Sequence, residues 1–406
     1  MPDAREVARR VEEAHRSHWA TVLAATVRLT RDLDLAEDCA QDAFVRALQS
    51  WTDGIPDSTV GWLTTVSRRL ALDRLRREAT LRRKLPLLAV ETAPADGEDP
   101  GPSDPLRLVF TCCHPALGRD TQLALTLRLM CGLTTGEIAR VLLVRESTVA
   151  ARITRGKQKI AGAGVPFRVP GDEALPERLD TVLTVVHLAY TAGHTAAGGL
   201  LVRQDLTSRA VLLARLLVAQ LPDESEALGL LALLLFAEAR AAARLDPGGD
   251  LVLLADQDRS RWDQALVNEG LALATRALAR GDGRFTLQAA IAGLHMSAPS
   301  WEATDWCQLV RMYDALMVRW PSPVVALNRA AAASLVPGAD LTAVLRELDA
   351  LGVEPSLAAY PYLPAARADV LTRLGRAAEA RRAYEEALSL TDNEAERRFL
   401  IARLGS

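Results

Sequence analysis

The chain of 406 residues has few lysines, few cysteines and no long apolar run, and these shortages argue against several classes of protein. Only three of its 48 cations are lysines, namely Lys84, Lys157 and Lys159. The 51 acidic residues leave a net charge of −3, so no overall cationic field draws the chain to polyanions. The five cysteines are an odd number without framework spacing. They therefore predict a reducing compartment and not the disulfide scaffold of a secreted domain.

Long apolar runs are also missing. The most apolar stretch, Leu228–Ala237, has about half of the roughly 20 residues that a membrane-spanning helix needs. The amino-terminal sequence MPDAREVARRVEEAHR is charged and lacks the apolar core of a signal peptide. We therefore expect a cytoplasmic protein that does not contact a membrane.

Motifs typical of enzymes are absent as well. The chain has no phosphate-binding loop, no dinucleotide-binding glycine motif, no HExxH and no nucleophile elbow. Cys112, Cys113 and His114, with Cys131 downstream, come closest to a metal motif, but adjacent cysteines fit zinc spacing poorly. We expect them to pack around the start of a helix. The sequence thus predicts no enzyme, no metal and no cofactor.

Residues 134–160, TTGEIARVLLVRESTVAARITRGKQKI, have the pattern of a helix-turn-helix. Thr134-x-x-Glu137 is a capping box, which predicts the start of the first helix. The second helix has apolar residues at helical spacing that should face the first helix: Val149, Ile153 and Ile160. Its other face shows Thr148, Arg152, Arg155 and Lys159, and such cations neutralise phosphates and reach base edges in the major groove. The alternative is a surface helical hairpin, whose outer face is often charged.

Two stretches rich in proline and glycine divide the chain. Residues 85–105 hold five prolines and five acidic residues without a base, which predicts a flexible acidic linker. The second stretch is 162–176. Elsewhere the patterns are helical and alternating β-branched runs are scarce, so we expect an all-α protein. Its three modules are 5–84, 106–162 and a C-terminal extension over 177–406.

The first module contains an acidic helix followed by a basic helix. Between Arg68 and Lys84 stand eight cations and two acids, close to Trp51 and Trp62. Cations with aromatic rings suit single-stranded or melted nucleic acid, since bases stack on the rings and Arg follows the backbone. A solvated charged face is the plainer interpretation of the cations, and core packing is at least as good an interpretation of the tryptophans.

The third module ends in a segment that resembles a tetratricopeptide unit. Leu374-Gly375 stands at its turn, and Ala380, Tyr384 and Ala387 lie in its second helix. Small residues let paired helices approach closely, and the aromatic ring fills the gap. Such helical pairs bind peptides or protein surfaces, so we expect a protein or peptide partner for the extension.

The first two modules together resemble extracytoplasmic-function sigma factors, the small promoter-recognition subunits of bacterial RNA polymerase. DLAEDCAQDAFVRALQSW looks like their region 2.2, GWLTTVSRRLALDRLRRE like region 2.4, and the helix-turn-helix like region 4.2. The stretch FTCCHPAL, residues 177–300 and DALMVRWPSPVVALNRA look like the subgroup with a long helical C-terminal extension. The resemblance covers nearly the whole chain.

The resemblance implies a role for particular residues. The part that docks on the basic clamp helices of the largest subunit of core RNA polymerase corresponds to Glu37, Asp38, Gln41 and Asp42. The part that meets the −10 element of promoter DNA corresponds to Trp62, Arg68, Arg69, Asp73, Arg76 and Arg77. The recognition helix for the −35 element corresponds to Ser147, Thr148, Ala151, Arg152 and Arg155, and we also expect Ser147 to cap that helix.

The chain departs from the family pattern in two places. Arg69 stands where the family often has Asn, which bears on the −10 preference. Most of these factors end after region 4 and are held inactive by a separate anti-sigma protein, so the extension points to regulation within the chain, or through a partner that binds its helical groove. Two alternatives remain: a helix-turn-helix regulator with a helical sensor domain that does not join the polymerase, and a tetratricopeptide scaffold whose basic helices are only solvated surface.

Overall fold

The protein is all-α over the residues that the structure describes. The structure is a computed structural model, and it describes residues 3–84, 104–194 and 204–405, apart from residues 143, 172, 245, 247, 249–251, 392 and 393. In these ranges it contains eighteen α-helices and three short 3-10 helices and no β-strand. None of the described helices is long and apolar enough to cross a membrane. The chain divides into two compact units, one up to Gln220 and the other from Leu221 onward.

The first unit begins with three helices that pack against one another in pairs. They are α1 (Ala4–Thr30), α2 (Leu33–Ser50) and α3 (Thr59–Lys84). Asp3 and Asp32 cap the first two helices, because each side chain accepts backbone N–H bonds that a helix start leaves unpaired. Arg31 takes a left-handed conformation (φ 54°) between them and so ends α1 one residue before the cap of α2.

Four shorter helices follow, in the part of the chain where the helix-turn-helix is predicted. They are α4 (Asp104–Cys112), α5 (Arg119–Leu129), α6 (Thr135–Val141) and α7 (Glu146–Gly162). Thr134 and Glu137 form the predicted capping box, with the Thr134 N–H donating to Glu137 Oε2 at 2.7 Å. Val149, Ile153 and Ile160 are buried, as their spacing predicts. Residues 85–103 of the predicted linker lie outside the described residues. Its last two residues, Asp104 and Pro105, are the first residues of α4 and are buried.

Two further helices complete the first unit. They are α8 (Leu175–His194) and α9 (Gln204–Gln220). Helix α8 packs on α4 and α5, while α9 packs on α1 and α4. The first compact unit therefore includes α8 and α9, which the sequence predicts as the start of the third module, and the second unit continues from residue 221. Helices α8 and α9 belong to the first unit because they bury apolar side chains there, among them Val182, Val186 and Leu206.

The second unit is a succession of helices in which each packs on the next. Its α-helices are α10 (Ser225–Ala239), α11 (Gln264–Leu278), α12 (Arg284–Ser297), α13 (Trp306–Arg319), α14 (Pro323–Ser334), α15 (Leu341–Leu351), α16 (Tyr362–Arg373), α17 (Ala377–Ser389) and α18 (Glu394–Leu404). Helices α16 and α17 pack against each other in the segment where the sequence predicts a tetratricopeptide-like pair. Gly375 turns between them with φ +74°, and Ala380, Tyr384 and Ala387 are buried, as their pattern predicts.

Candidate functional site

Helix α3 presents most of its predicted −10 contacts to solvent. Arg69, Asp73, Arg76 and Arg77 are exposed, and Arg68 is half-buried. Asp73 and Arg76 approach to 4.0 Å, a surface pair that contributes about 1 kcal/mol at most. The guanidinium groups of Arg69, Arg76 and Arg77 therefore lie at the solvent-exposed surface of α3. The last three cations of the predicted basic run are Arg82, Arg83 and Lys84, and the structure does not describe their side chains.

The two tryptophans near α3 differ in their surroundings. Their ring centroids are 5.7 Å apart in an edge-to-face arrangement. Trp51 is 1% exposed and belongs to the core, whereas Trp62 is half-buried at the start of α3. Of the two, only Trp62 offers ring surface on which an extruded base could stack.

Helix α2 carries the four residues predicted to contact the polymerase, and three of them reach the surface. Asp38 and Gln41 are exposed and Asp42 is half-buried. Arg74 of α3 joins two of them, with Nη1 3.3 Å from Asp38 and Nη2 2.7 Å from Asp42. Arg74 was not among the predicted site residues, and it aligns two acidic side chains on one edge of α2.

Glu37, the fourth predicted polymerase contact, is only 4% exposed. Its carboxylate lies 2.5 Å from Arg128 Nε of α5 and 2.7 Å from Lys157 Nζ of α7. Lys157 also lies 2.6 Å from Asp34. Burial by itself lowers the pKa of Lys157, but the two carboxylates outweigh burial, so this pKa lies above its usual value. The ammonium is therefore charged, and the cluster is a buried ion-pair network.

The predicted −35 residues lie on the first three turns of α7. Ser147, Ala151 and Arg155 are exposed, while Thr148 and Arg152 are half-buried. Arg152 Nη2 lies 2.6 Å from Asp120 at the start of α5. The predicted recognition face is thus accessible to solvent, and the guanidinium of Arg152 is held by the Asp120 carboxylate.

Ser147 does not cap α7, contrary to the prediction. The N-cap residue is Arg145, and no side chain accepts a bond from the first backbone N–H groups there. Ser147 stands within the first turn instead. The N–H groups at this end of α7 consequently have no side-chain competitor, an arrangement that suits a phosphate.

A second set of contacts joins the first three helices to the following ones. Trp19 of α1 donates from Nε1 to the Leu129 carbonyl oxygen at 3.0 Å. Asp104, 1% exposed, lies 3.3 Å from Arg28 of α1 and 3.4 Å from Arg107 of its own helix. Burial raises the pKa of the Asp104 carboxyl above its usual value, against the opposing effect of the neighbouring arginines. The two predicted DNA-binding modules therefore share one packed interface.

The cysteine and histidine motif packs at the end of α4 and not at the start of a helix as predicted. Cys112, Cys113 and Cys131 are buried, and burial raises the pKa of the Cys113 and Cys131 thiols to about 12. His114 Nδ1 accepts the Ala116 N–H at 3.2 Å. Within the described ranges no cluster of three or more His, Cys, Asp or Glu could hold a metal ion.

Sequence reasoning missed the role of Lys157, although a signal for it was present. Lys157 stands four residues after Ile153 and three before Ile160, and both of these are buried. This spacing puts its stem on the buried face of α7 and not among the cations of the recognition face. Arg128 carried no comparable signal.

Three protein families match separate parts of the chain. Residues 15–80 match sigma-70 region 2, and residues 107–160 match sigma-70, region 4. Residues 178–278 match a family of unknown function (DUF6596). The first match runs from within α1 into α3 and the second from within α4 into α7, whereas the third runs from α8 to the end of α11 and crosses the boundary between the compact units.

Several proteins are similar to the chain. It is 40% identical over 393 residues to the uncharacterized protein R00370 of Rhizobium meliloti, a match that covers 94% of this chain and 92% of the relative. It is 31% identical over 161 residues to the ECF RNA polymerase sigma factor SigE of Mycolicibacterium smegmatis, which covers 37% of this chain and 59% of that factor. It is 29% identical over 157 residues to the probable ECF RNA polymerase sigma factor SigI of Mycobacterium tuberculosis, covering 37% and 54%.

No solved structure shows a significant match. The two sigma-70 regions stand in the order that the sequence motifs predict, with a helical extension behind them. The chain belongs to the sigma-70 family of transcription initiation factors, in the extracytoplasmic-function group with a long C-terminal extension.

Proposed function

We propose that the protein binds core RNA polymerase through α2, meets the −10 element through α3 and reads the −35 element through α7. The observation that carries this proposal is the order of the two regions, together with the exposure of a charged face on each of these helices. A sigma factor of this family has core RNA polymerase and promoter DNA as its partners. The contact helices and the individual residues are the proposed part.

For the polymerase contact we propose Asp38, Gln41 and Asp42, with Glu37 joining them when region 4 moves away. The clamp helices implied by the resemblance are basic, and the acidic edge of α2 complements them. Asp38→Ala should weaken core binding several-fold, measured by fluorescence anisotropy with purified core. Asp53→Ala, an exposed acid in the loop after α2, is the matched control and should bind like the wild type.

For the −10 element we propose that Trp62 and the exposed arginines of α3 bind opened DNA. Unstacking a base costs a few kcal/mol, which stacking on a ring and cation contacts to the backbone offset. Forked promoter DNA with unpaired −10 bases should therefore bind more tightly than fully paired DNA. Trp62→Ala should reduce that preference, and equal binding of both DNA forms by the wild type would contradict it.

For the −35 element we propose base and phosphate contacts from Arg152 and Arg155, with Ser147, Thr148 and Ala151 facing the groove. Exposure of this face supports the proposal. The N-terminal end of α7, free of a side-chain cap, supports a phosphate contact there.

We propose that the extension regulates these activities. Its first two helices, α8 and α9, pack on α1, α4 and α5 and so touch both sigma regions. Its last helices form an open pocket of about 380 Å³, lined by charged residues (Arg367, Arg376, Arg382, Asp349, Glu379 and Glu386) and by Leu345, Leu371 and Ala383. Charges of both signs in this pocket support a protein or peptide partner, because the pocket residues could pair with the charged side chains of the partner and form hydrogen bonds with its backbone.

Reconstituted transcription tests the function as a whole. Purified core polymerase, the full chain and a promoter fragment should yield specific transcripts only when all three are present. A helix-turn-helix regulator that does not join the polymerase would bind the promoter but would not co-purify with core or initiate transcription with it. That result would overturn the proposal in favour of the regulator.

A further inference from the structure

The acidic helix α2 does not offer all of its polymerase-facing side chains in this structure. Glu37 is covered by two cations of region 4, with Arg128 Nε at 2.5 Å and Lys157 Nζ at 2.7 Å. The Lys157 and Glu37 side chains are 10% and 5% exposed. Lys157 reaches Asp34 as well, at 2.6 Å, so one ammonium neutralises two acids of α2.

The face of α7 that makes this contact is not the face proposed to read DNA. An α-helix turns about 100° per residue, so Lys157 points roughly 200° away from Arg155. Arg155 is exposed while Lys157 is nearly covered. The face of α7 that carries Lys157 therefore covers Glu37 of α2, while the opposite face, which carries Arg155, stays exposed to solvent.

Other contacts hold the same arrangement. Trp19 of α1, 3% exposed, bonds to the Leu129 carbonyl oxygen. The ring of His15 in α1 is tilted against Trp19 and edge-to-face with Phe44, with ring centroids 5.0 Å apart in each case. A Cβ placed on Gly132 would stand 2.9 Å from the His15 ring and 2.9 Å from the Arg209 guanidinium, so α1, the α5–α6 turn and α9 meet closely. Apolar and polar contacts thus bring regions 2 and 4 together with α9.

The cations on Glu37 have the same chemistry as the surface that α2 is proposed to bind. A basic clamp and the Lys157–Arg128 pair would both seek the acids of α2, and they cannot occupy Glu37 at the same time. We propose that region 4 is an intramolecular competitor for the polymerase-binding helix: Lys157 and Arg128 hold Glu37 in a closed state and must leave it before core polymerase binds. This inference rests on the proposed role of α2.

The inference predicts a gain of affinity from removal of a charge. When only a fraction of the molecules is in the binding-competent open state, the apparent Kd equals the intrinsic Kd divided by that fraction. Destabilising the closed state raises this fraction and so lowers the apparent Kd. Lys157→Met should tighten core binding by about 10-fold, since a buried charge pair is lost only from the closed state. Arg128 still neutralises Glu37 in this variant, so the fold should persist.

The experiment uses the full chain with two readouts. The first is the Kd for core polymerase, and the second is energy transfer between dyes in regions 2 and 4. The dyes are placed at Arg46→Cys on α2 and Gln158→Cys on α7, both exposed positions, in a Cys307→Ser background because Cys307 is the exposed cysteine among the five. Arg140→Met, which removes an exposed cation from α6 of the same region, is the matched control, and Lys157→Arg tests retention of the charge.

The expected result is that Lys157→Met lowers energy transfer and tightens core binding, while Arg140→Met and Lys157→Arg resemble the wild type. Unchanged or weaker core binding by Lys157→Met, with wild-type binding measurable, would overturn the inference and leave the proposed function standing. If neither protein binds core polymerase at any concentration, the proposed function fails and this inference fails with it. Energy transfer that Lys157→Met leaves unchanged also overturns it, since the ion pair then does not hold the regions together.

Discussion

The indole Nε1 of Trp19 donates a hydrogen bond to the carbonyl oxygen of Leu129, at 3.0 Å and across 110 residues of chain. Trp19 lies in region 2 and Leu129 at the end of the second helix of region 4. A buried donor of this kind needs a partner, because leaving it unpaired costs about 1–3 kcal/mol. The bond therefore ties the arrangement of the two regions to the stability of the first unit.

Trp19→Phe should lower the free energy of unfolding of the first unit by about 1–3 kcal/mol, because it removes the donor, leaves the carbonyl oxygen unpaired and shortens the ring. Urea denaturation followed by circular dichroism measures the change. Trp320→Phe in the second unit is the control for loss of an indole, and it should leave the transition of the first unit in place. A first-unit midpoint that Trp19→Phe does not move would contradict the prediction.

Gly156→Ala should destabilise region 4, although alanine favours helices more than glycine does. A Cβ at Gly156 would stand 2.7 Å from the Thr121 side chain and 2.8 Å from the Leu125 side chain, so these contacts between α5 and α7 would have to shift, at a cost of about 1–3 kcal/mol. Gly162→Ala, on the same helix and with nothing within 4 Å, should be neutral or stabilising by up to ~1 kcal/mol. Opposite signs in thermal denaturation support this packing, and a stabilising Gly156→Ala refutes it.

Arg155→Ala should weaken binding to −35 promoter DNA and reduce its dependence on salt. Each phosphate contact that is lost lowers the slope of log K against log salt by about 0.9. Gln158→Ala changes an exposed neutral residue of the same helix and should keep the wild-type slope. Filter binding over a series of salt concentrations gives both quantities, and parallel lines for Arg155→Ala and the wild type would exclude a phosphate contact.

Acidification should destabilise the first unit through His15. Burial, followed by the charge of Arg209, lowers the pKa of His15 from its usual 6.5 to about 4, although Glu137 acts in the opposite direction. Between these two pH values the unfolded chain binds a proton that the folded chain does not bind. The free energy of unfolding therefore falls as pH drops from about 6.5 toward 4, by up to roughly 3 kcal/mol.

His15→Gln should flatten this dependence, and urea midpoints across the pH range measure the slope. His295, whose pKa burial and two neighbouring arginines lower to about 4, provides the counterpart in the second unit. His295→Gln should leave the slope of the first unit unchanged. A His15→Gln protein that keeps the full slope would assign the effect to other groups.

A fragment that ends at residue 220 should fold, whereas one that ends at residue 176 should not fold stably. Truncation at 176 removes α8 and α9 and exposes the apolar residues of α1, α4 and α5 on which they pack. Gel filtration and circular dichroism compare the two fragments. Equal stability of both would place the end of the first unit near the predicted boundary.

The local elements of this protein follow from short stretches of sequence. Thr134 and Glu137 make a capping box because three residues of helix bring their groups together. Val149, Ile153 and Ile160 predict the buried face of α7 because helical spacing alone aligns them. Motif order predicted the two sigma regions for the same reason, since each motif is a contiguous segment.

The tertiary structure alone decided which charged residues are surface and which are interface. Glu37 looks like Asp38 and Asp42 in the sequence, but its partners Arg128 and Lys157 are far along the chain. Likewise, the apolar faces of α8 and α9 do not predict which unit these helices will join. The hydrophobic effect is non-directional, so an apolar face can be buried against helices that precede it or follow it in the chain. The sequence by itself thus determined the helices, their caps and the family. Only folding decided that α2 of region 2, the proposed polymerase-binding helix, pairs its Glu37 with Arg128 and Lys157 of region 4, because a buried ion pair depends on which surfaces meet.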